Sequence, residues 1–91
     1  MQVVINTCHG GFGVSAEAFL IIKKEYPDFD VYDDKHRSNK LLVKLIQEKG
    51  SEYVNGAFSE LKVVDIPDNI EYTIQEYDGI EWVAEKHRTW G

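Results

Sequence analysis

The sequence predicts one small α+β domain in the order β-α-α-β-β-β, with a mostly antiparallel sheet and two helices on one face. Three observations predict it. An apolar, β-branched run, Val3-Val4-Ile5, passes through a glycine-rich turn into a helical stretch. A second amphipathic stretch, residues 39–49, is bounded by a capping residue and a glycine. The C-terminal part then alternates apolar and polar residues in successive runs, the last two joined by Asp78-Gly79. With 91 residues the chain has room for one modest core, so residues 1–91 form a single domain.

Each element has a local reason. Residues 2–7 read as a buried strand, central in its sheet. Ser15 caps a first helix that runs to Tyr26, and Pro27 stops it because the residue before proline avoids helical angles. Its expected inner face carries Ala16, Phe19, Leu20 and Lys23, with Ile22 and Tyr26 beside them. Residues 29–34 fit either a short edge strand or an extended loop. The acids Asp28, Asp30, Asp33 and Asp34 lack the glycine and terminal glutamate of a calcium loop, which makes them a solvated acidic segment. Ser38 or Asn39 caps the second helix, whose inner stripe is Leu41, Leu42, Leu45 and Ile46, and Gly50 ends it. Asn55-Gly56 marks a turn within a polar stretch. A strand over 61–66 follows, then a hairpin of 70–77 and 80–87 about a type I′ Asp78-Gly79 turn. The spacing Ile80, Val83, His87 also permits a short helix over 80–86.

Composition narrows the function. Sixteen acids against ten Lys and Arg give a net charge of −6, which opposes binding to duplex nucleic acid. A few local cations and amides would still hold a small anion. One cysteine precludes an intrachain disulfide. Met1-Gln2 leads straight into a strand, and no run has the length of a signal peptide core or a membrane span. The expectation is a soluble cytoplasmic protein without a membrane partner.

Two segments carry candidate chemistry. In Cys8-His9-Gly10-Gly11-Phe12-Gly13-Val14-Ser15, three glycines within four residues free the backbone to approach another group, and the helix start presents unpaired amides. Such a place suits phosphate or carboxylate. The loop lacks the Gly-Lys-Ser/Thr ending of a Walker motif, and taken alone it is explained somewhat better by glycines that serve tight packing. The tail, Glu85-Lys86-His87-Arg88-Thr89-Trp90, gathers cations and an indole in an acidic chain. Arg88 suits a phosphate, Trp90, Trp82 and Tyr77 suit a flat base, and His87 suits a hydrogen bond to it. The competing role for this tail is packing and surface ion pairing. Arg37, just before the second helix, either reaches a ligand or pairs with the acidic loop. Cys8 and His9 point to opposite faces of an extended strand, so they do not form a nucleophile–base pair with each other. Three histidines and one cysteine show no metal-ligand spacing. Neither a catalytic set nor a cofactor site is expected.

Asn6 to Ser15, the segment Leu61-Lys62-Val63-Val64-Asp65-Ile66-Pro67, and Glu76 to Trp90 together resemble a widespread family of small phage proteins. Within that resemblance the chain looks similar to the phage anti-CBASS sponges. The resemblance implies a homo-oligomer that sequesters a cyclic oligonucleotide signal, without cleaving it, in the host cytoplasm, at sites shared between subunits. The expected ligand set is Gly10, Gly11, Phe12, Gly13, Ser15, Arg37, Tyr77, His87, Arg88 and Trp90. Two other classes stand beside it: a module that inhibits a host enzyme through Asp30, Asp33 and Asp34, and a small nucleotide-acting enzyme using Cys8 or His87.

Overall fold

A computed structural model describes residues 1–85. The chain is an α+β domain with three helices and two antiparallel two-stranded ladders. Strand β1 (Gln2–Asn6) pairs with β2 (Leu61–Asp65), Val4 lying opposite Val63. Strands β3 (Tyr72–Tyr77) and β4 (Ile80–Glu85) form the hairpin, Gln75 lying opposite Trp82. The helix considered for 80–86 is excluded over the described part, which is strand to Glu85. Asp78 (φ 51°) and Gly79 (φ 92°) both occupy the left-handed region that a type I′ turn requires. Glu76 closes this turn by accepting the Gly79 amide at 2.9 Å.

Helix α1 (Ala16–Glu25) begins where the Ser15 hydroxyl accepts the Ala18 amide. Its inner face differs from the expected one. Ala18 and Ile22 are buried and Phe19 is partly buried, whereas Leu20 is 68% exposed. The helix is rotated so that an i, i+4 pair meets the core, and that pair is the small Ala18 with Ile22. Residues 29–34 take the loop alternative. Asp30 and Asp33 accept the amides of Tyr32 and Lys35 two residues on, and a 3₁₀ helix follows at Asp34–Ser38.

Asn39 caps α2 (Lys40–Lys49) by accepting the amides of Leu41 and Leu42, and Gly50 (φ 84°) ends it. Leu42, Val43, Leu45 and Ile46 are its buried residues. A short helix, α3 (Ser51–Val54), follows directly, which sequence periodicity over four residues does not reveal. The core joins Val4 of β1, Ala18 and Ile22 of α1, Phe29, the α2 stripe, Val54 and Leu61. No apolar residue of the hairpin belongs to this buried set. No helix among the described residues is long and apolar enough to cross a membrane.

Candidate functional site

The hairpin is tied to the body through its one buried side chain on β4, Glu81, which is 8% exposed. Arg37 of the 3₁₀ helix meets Glu81 in a two-pronged pair, Nη1 to Oε1 at 2.7 Å and Nη2 to Oε2 at 2.8 Å. Glu81 Oε1 also accepts the backbone amide of Asn6 at 2.8 Å, and Arg37 Nη1 reaches the Val4 carbonyl at 3.4 Å. The carbonyl of residue 4 and the amide of residue 6 are the groups a neighbouring strand would bond. The ion pair therefore stands in for a third strand on the open edge of β1. Phe12 covers it, its ring centroid 3.5 Å from the guanidinium carbon.

Asn6, fully buried, organises the backbone around this clamp. Its amide nitrogen donates to the carbonyls of Cys8 (2.7 Å) and Gly79 (2.8 Å), and its Oδ1 accepts the Glu60 amide at 2.8 Å. One side chain thus pins three loops together: residues 7–15, 55–60 and 78–79. Glycines allow them to meet. A methyl on Gly10 would lie 1.7 Å from the Phe58 carbonyl oxygen, and one on Gly79 would lie 2.2 Å from that of His9. The close approach expected of the glycine loop is thereby accounted for at Gly10 by contact with protein backbone, whereas an added methyl on Gly11 or Gly13 meets nothing within 4 Å.

Further stitching fixes the entry to α1. Ser15 donates its hydroxyl proton to the Tyr53 carbonyl at 2.9 Å and its backbone amide to that of Val54 at 2.8 Å. Ser59 donates to the Gly13 carbonyl at 2.8 Å, and Gly56 donates to it at 3.2 Å. The Cys8 thiol donates to the Phe58 carbonyl at 3.1 Å, so its proton has a structural use.

The expected ligand residues therefore separate into groups. Gly11 lies against the hairpin turn at Gly79, Phe12 stacks on Arg37, Gly10 lies against Phe58 and Gly13 against Gly56, while Tyr77 sits beside the hairpin turn, 75% exposed. Two expectations are corrected. Arg37 does not face a surface anion: it is 5% exposed and its charge is matched by Glu81, because burying an unpaired guanidinium is far costlier than pairing it. Ser15 gives its only proton to the fold. His87, Arg88 and Trp90 lie outside the described residues. Strand β4 runs away from Gly79, so at about 3.3 Å per residue its end at Glu85 is about 20 Å along the strand from Gly79.

What remains open at the junction is backbone and aromatic surface. The amides of His9, Gly10, Gly11, Phe12 and Gly13 donate to no described residue. Phe58 (79% exposed) borders them at Gly10, exposed Tyr77 precedes the hairpin turn, and the His9 ring rests against Asp78, Nδ1 being 3.2 Å from its carbonyl oxygen. Phe58 and His9 are not among the expected ligand residues; His9 lies in the glycine-rich segment singled out above, and Phe58's only sequence signal is an aromatic side chain two residues after an Asn-Gly turn. Among the described residues no group of three His, Cys, Asp or Glu could hold a metal ion. Comparison with family models, with curated proteins and with solved structures gives no match.

Proposed function

We propose that this chain is a non-catalytic binding protein that holds a phosphate-bearing nucleotide at the junction of its three loops. In its most concrete form the ligand is a cyclic di- or oligonucleotide immune signal. The protein sequesters it unchanged in the host cytoplasm, antagonising a CBASS-like defence. The observation that carries this reading is the run of amides from His9 to Gly13 that donate to no described residue, on a partly exposed loop with the exposed rings of Phe58 beside Gly10 and Tyr77 next to the hairpin turn. Oriented amides suit phosphate oxygens, and Phe58 and Tyr77 offer faces for bases. The loop is held in place before a ligand arrives by Asn6 and the Arg37–Glu81 clamp, which lowers the ordering cost of binding. The cationic tail is not needed for this site within one subunit, since β4 leads away from it.

The test is incubation of the protein with a panel of cyclic di- and trinucleotides, followed by melting and mass spectrometry of the released ligand. A ligand at about one hundred times its dissociation constant stabilises the folded state by about 2.7 kcal/mol, a rise of about 11–22 °C for a domain this size. The nucleotide is expected back intact after heat release. Absence of a shift with every nucleotide contradicts the binding reading, and a cleaved product contradicts the non-catalytic one.

A further inference from the structure

The outer edge of the hairpin is a surface that the three-loop junction does not use. Strand β3 pairs with β4 on one side and with no strand on the other among the described residues. Opposite residues of an antiparallel pair alternate between hydrogen-bonded and non-bonded pairs. Tyr77 and Ile80 close the two-residue turn as a bonded pair, so Gln75 with Trp82 and Thr73 with Ala84 are bonded as well. The amides and carbonyls of Tyr72, Ile74 and Glu76 therefore point away from β4, and they meet no partner among the described residues. Such an edge is a template for another strand, and β3 carries neither lysine nor proline to block it. The hairpin also puts no apolar residue into the buried core, and two strands alone make a marginal unit.

We propose that the β3 edge pairs antiparallel with the β3 edge of a second copy of the chain, Ile74 lying opposite the partner's Ile74, to give a four-stranded sheet in the order β4-β3-β3-β4.

Register and charge choose a second copy. A twofold axis through Ile74 sets Tyr72 opposite the partner's Glu76 and Glu76 opposite the partner's Tyr72. Each of the three outward-facing residues of β3 then meets an outward-facing residue, and two bonds per pair make about six backbone hydrogen bonds. The side chains agree with that register. Thr73 meets the partner's Gln75, and Glu71, just before the strand, meets the partner's Tyr77. No acid lies opposite an acid, in a chain of net charge −6. Moving the axis to Glu76 would set two carboxylates opposite each other, and moving it to Tyr72 would leave the Tyr72 pair as the one bonded pair inside β3. Strand β2, whose outer edge is also unpaired among the described residues, carries Lys62, the kind of residue that blocks such pairing. The inference stands independently of the nucleotide reading.

Proline and cysteine variants of the full-length chain test it. Sedimentation equilibrium is expected to show a dimer for the parent chain. Ile74→Pro removes an outward N–H that the β3–β4 ladder does not use, and with it both bonds at the axis. It is expected to raise the dimer dissociation constant about tenfold or more. Cross-linking reads the register without depending on how the proline variant folds. In a Cys8→Ser background, a Thr73→Cys chain mixed with a Gln75→Cys chain is expected to give a disulfide-linked dimer on mild oxidation. The two positions form a non-bonded pair, with Cα atoms about 4.5 Å apart. Either chain alone sets its cysteines on a diagonal about 7–8 Å long and is expected to stay largely unlinked. A parent chain that is monomeric at every concentration overturns the pairing and leaves the edge to an extended segment of another protein. A dimer indifferent to Ile74→Pro that gives no mixed cross-link overturns it too, as does cross-linking of each variant alone as efficient as that of the mixture.

Discussion

Glu81→Gln is the sharpest probe of what holds the hairpin to the body. Glu81 and Arg37 have side chains only 7% and 6% exposed, so solvent screens their attraction little. The replacement keeps the shape and leaves an amide oxygen to accept the Asn6 amide. It removes the negative charge and with it the second prong to Arg37, leaving a buried guanidinium whose Nε already has no hydrogen-bond partner among the described residues. Breaking one partner of a buried pair costs about 3–5 kcal/mol. A domain of this length has roughly 5–14 kcal/mol in total. At about 4 °C or more per kcal/mol, the melting temperature is expected to fall by at least about 12 °C. Urea unfolding followed by tryptophan fluorescence measures it, since Trp82 is next to the substituted position. The companion variant, Arg37→Met with Glu81→Gln, removes the stranded charge and keeps an apolar stem under Phe12. It is expected to regain more than half of the lost stability. A single-variant cost under about 1 kcal/mol, or a double variant no better than the single, would refute the clamp.

The glycines are expected to divide by what surrounds them. Gly10→Ala and Gly79→Ala press a methyl into backbone at 1.7 and 2.2 Å, and Gly79 also has a positive φ, so both are expected to lower the melting temperature sharply. Gly13→Ala, with nothing within 4 Å of the added carbon, is expected to be neutral or slightly stabilising, as thermal melts would show. Phe58→Ala and Tyr77→Ala remove exposed rings, so stability is expected to hold within about 0.5 kcal/mol. Nucleotide affinity measured by calorimetry is expected to drop about fivefold or more for each stacked base lost. Cys8→Ser preserves a proton donor toward the Phe58 carbonyl and is expected to leave both folding and ligand capture intact, whereas a thiol enzyme would lose turnover.

Features with local causes were legible in the sequence. The Asp78-Gly79 turn needs two positive φ angles, and that dipeptide supplies them at low cost. Helix α2 shows its cap, stripe and terminating glycine within twelve residues. Features set by distant partners were not legible. Arg37 resembles a surface cation until Glu81, 44 residues on, is seen to turn inward beside it. Asn6 looks like the polar end of a strand, yet it joins loops 54 and 73 residues away. Periodicity misplaces the inner face of α1 because Leu20 is large and apolar, yet Ala18 and Ile22 are the residues buried in the core. For the site, the glycine loop drew notice through composition alone. Gly10 makes room for the Phe58 backbone and the Gly13 carbonyl accepts from Ser59, both partners far away in the chain.

The most direct measurement is an amide-resolved titration of the ¹⁵N-labelled full chain with cyclic di-GMP, cyclic GMP-AMP and, separately, inorganic phosphate. With the binding nucleotide, the largest shifts are expected at the amides of His9, Gly10, Gly11, Phe12 and Gly13, with ring-current changes beside Phe58 and Tyr77. Shifts centred elsewhere, on the acidic segment around Asp30 or along β3, or no saturable shift with any nucleotide, would contradict a ligand site at the meeting of the three loops.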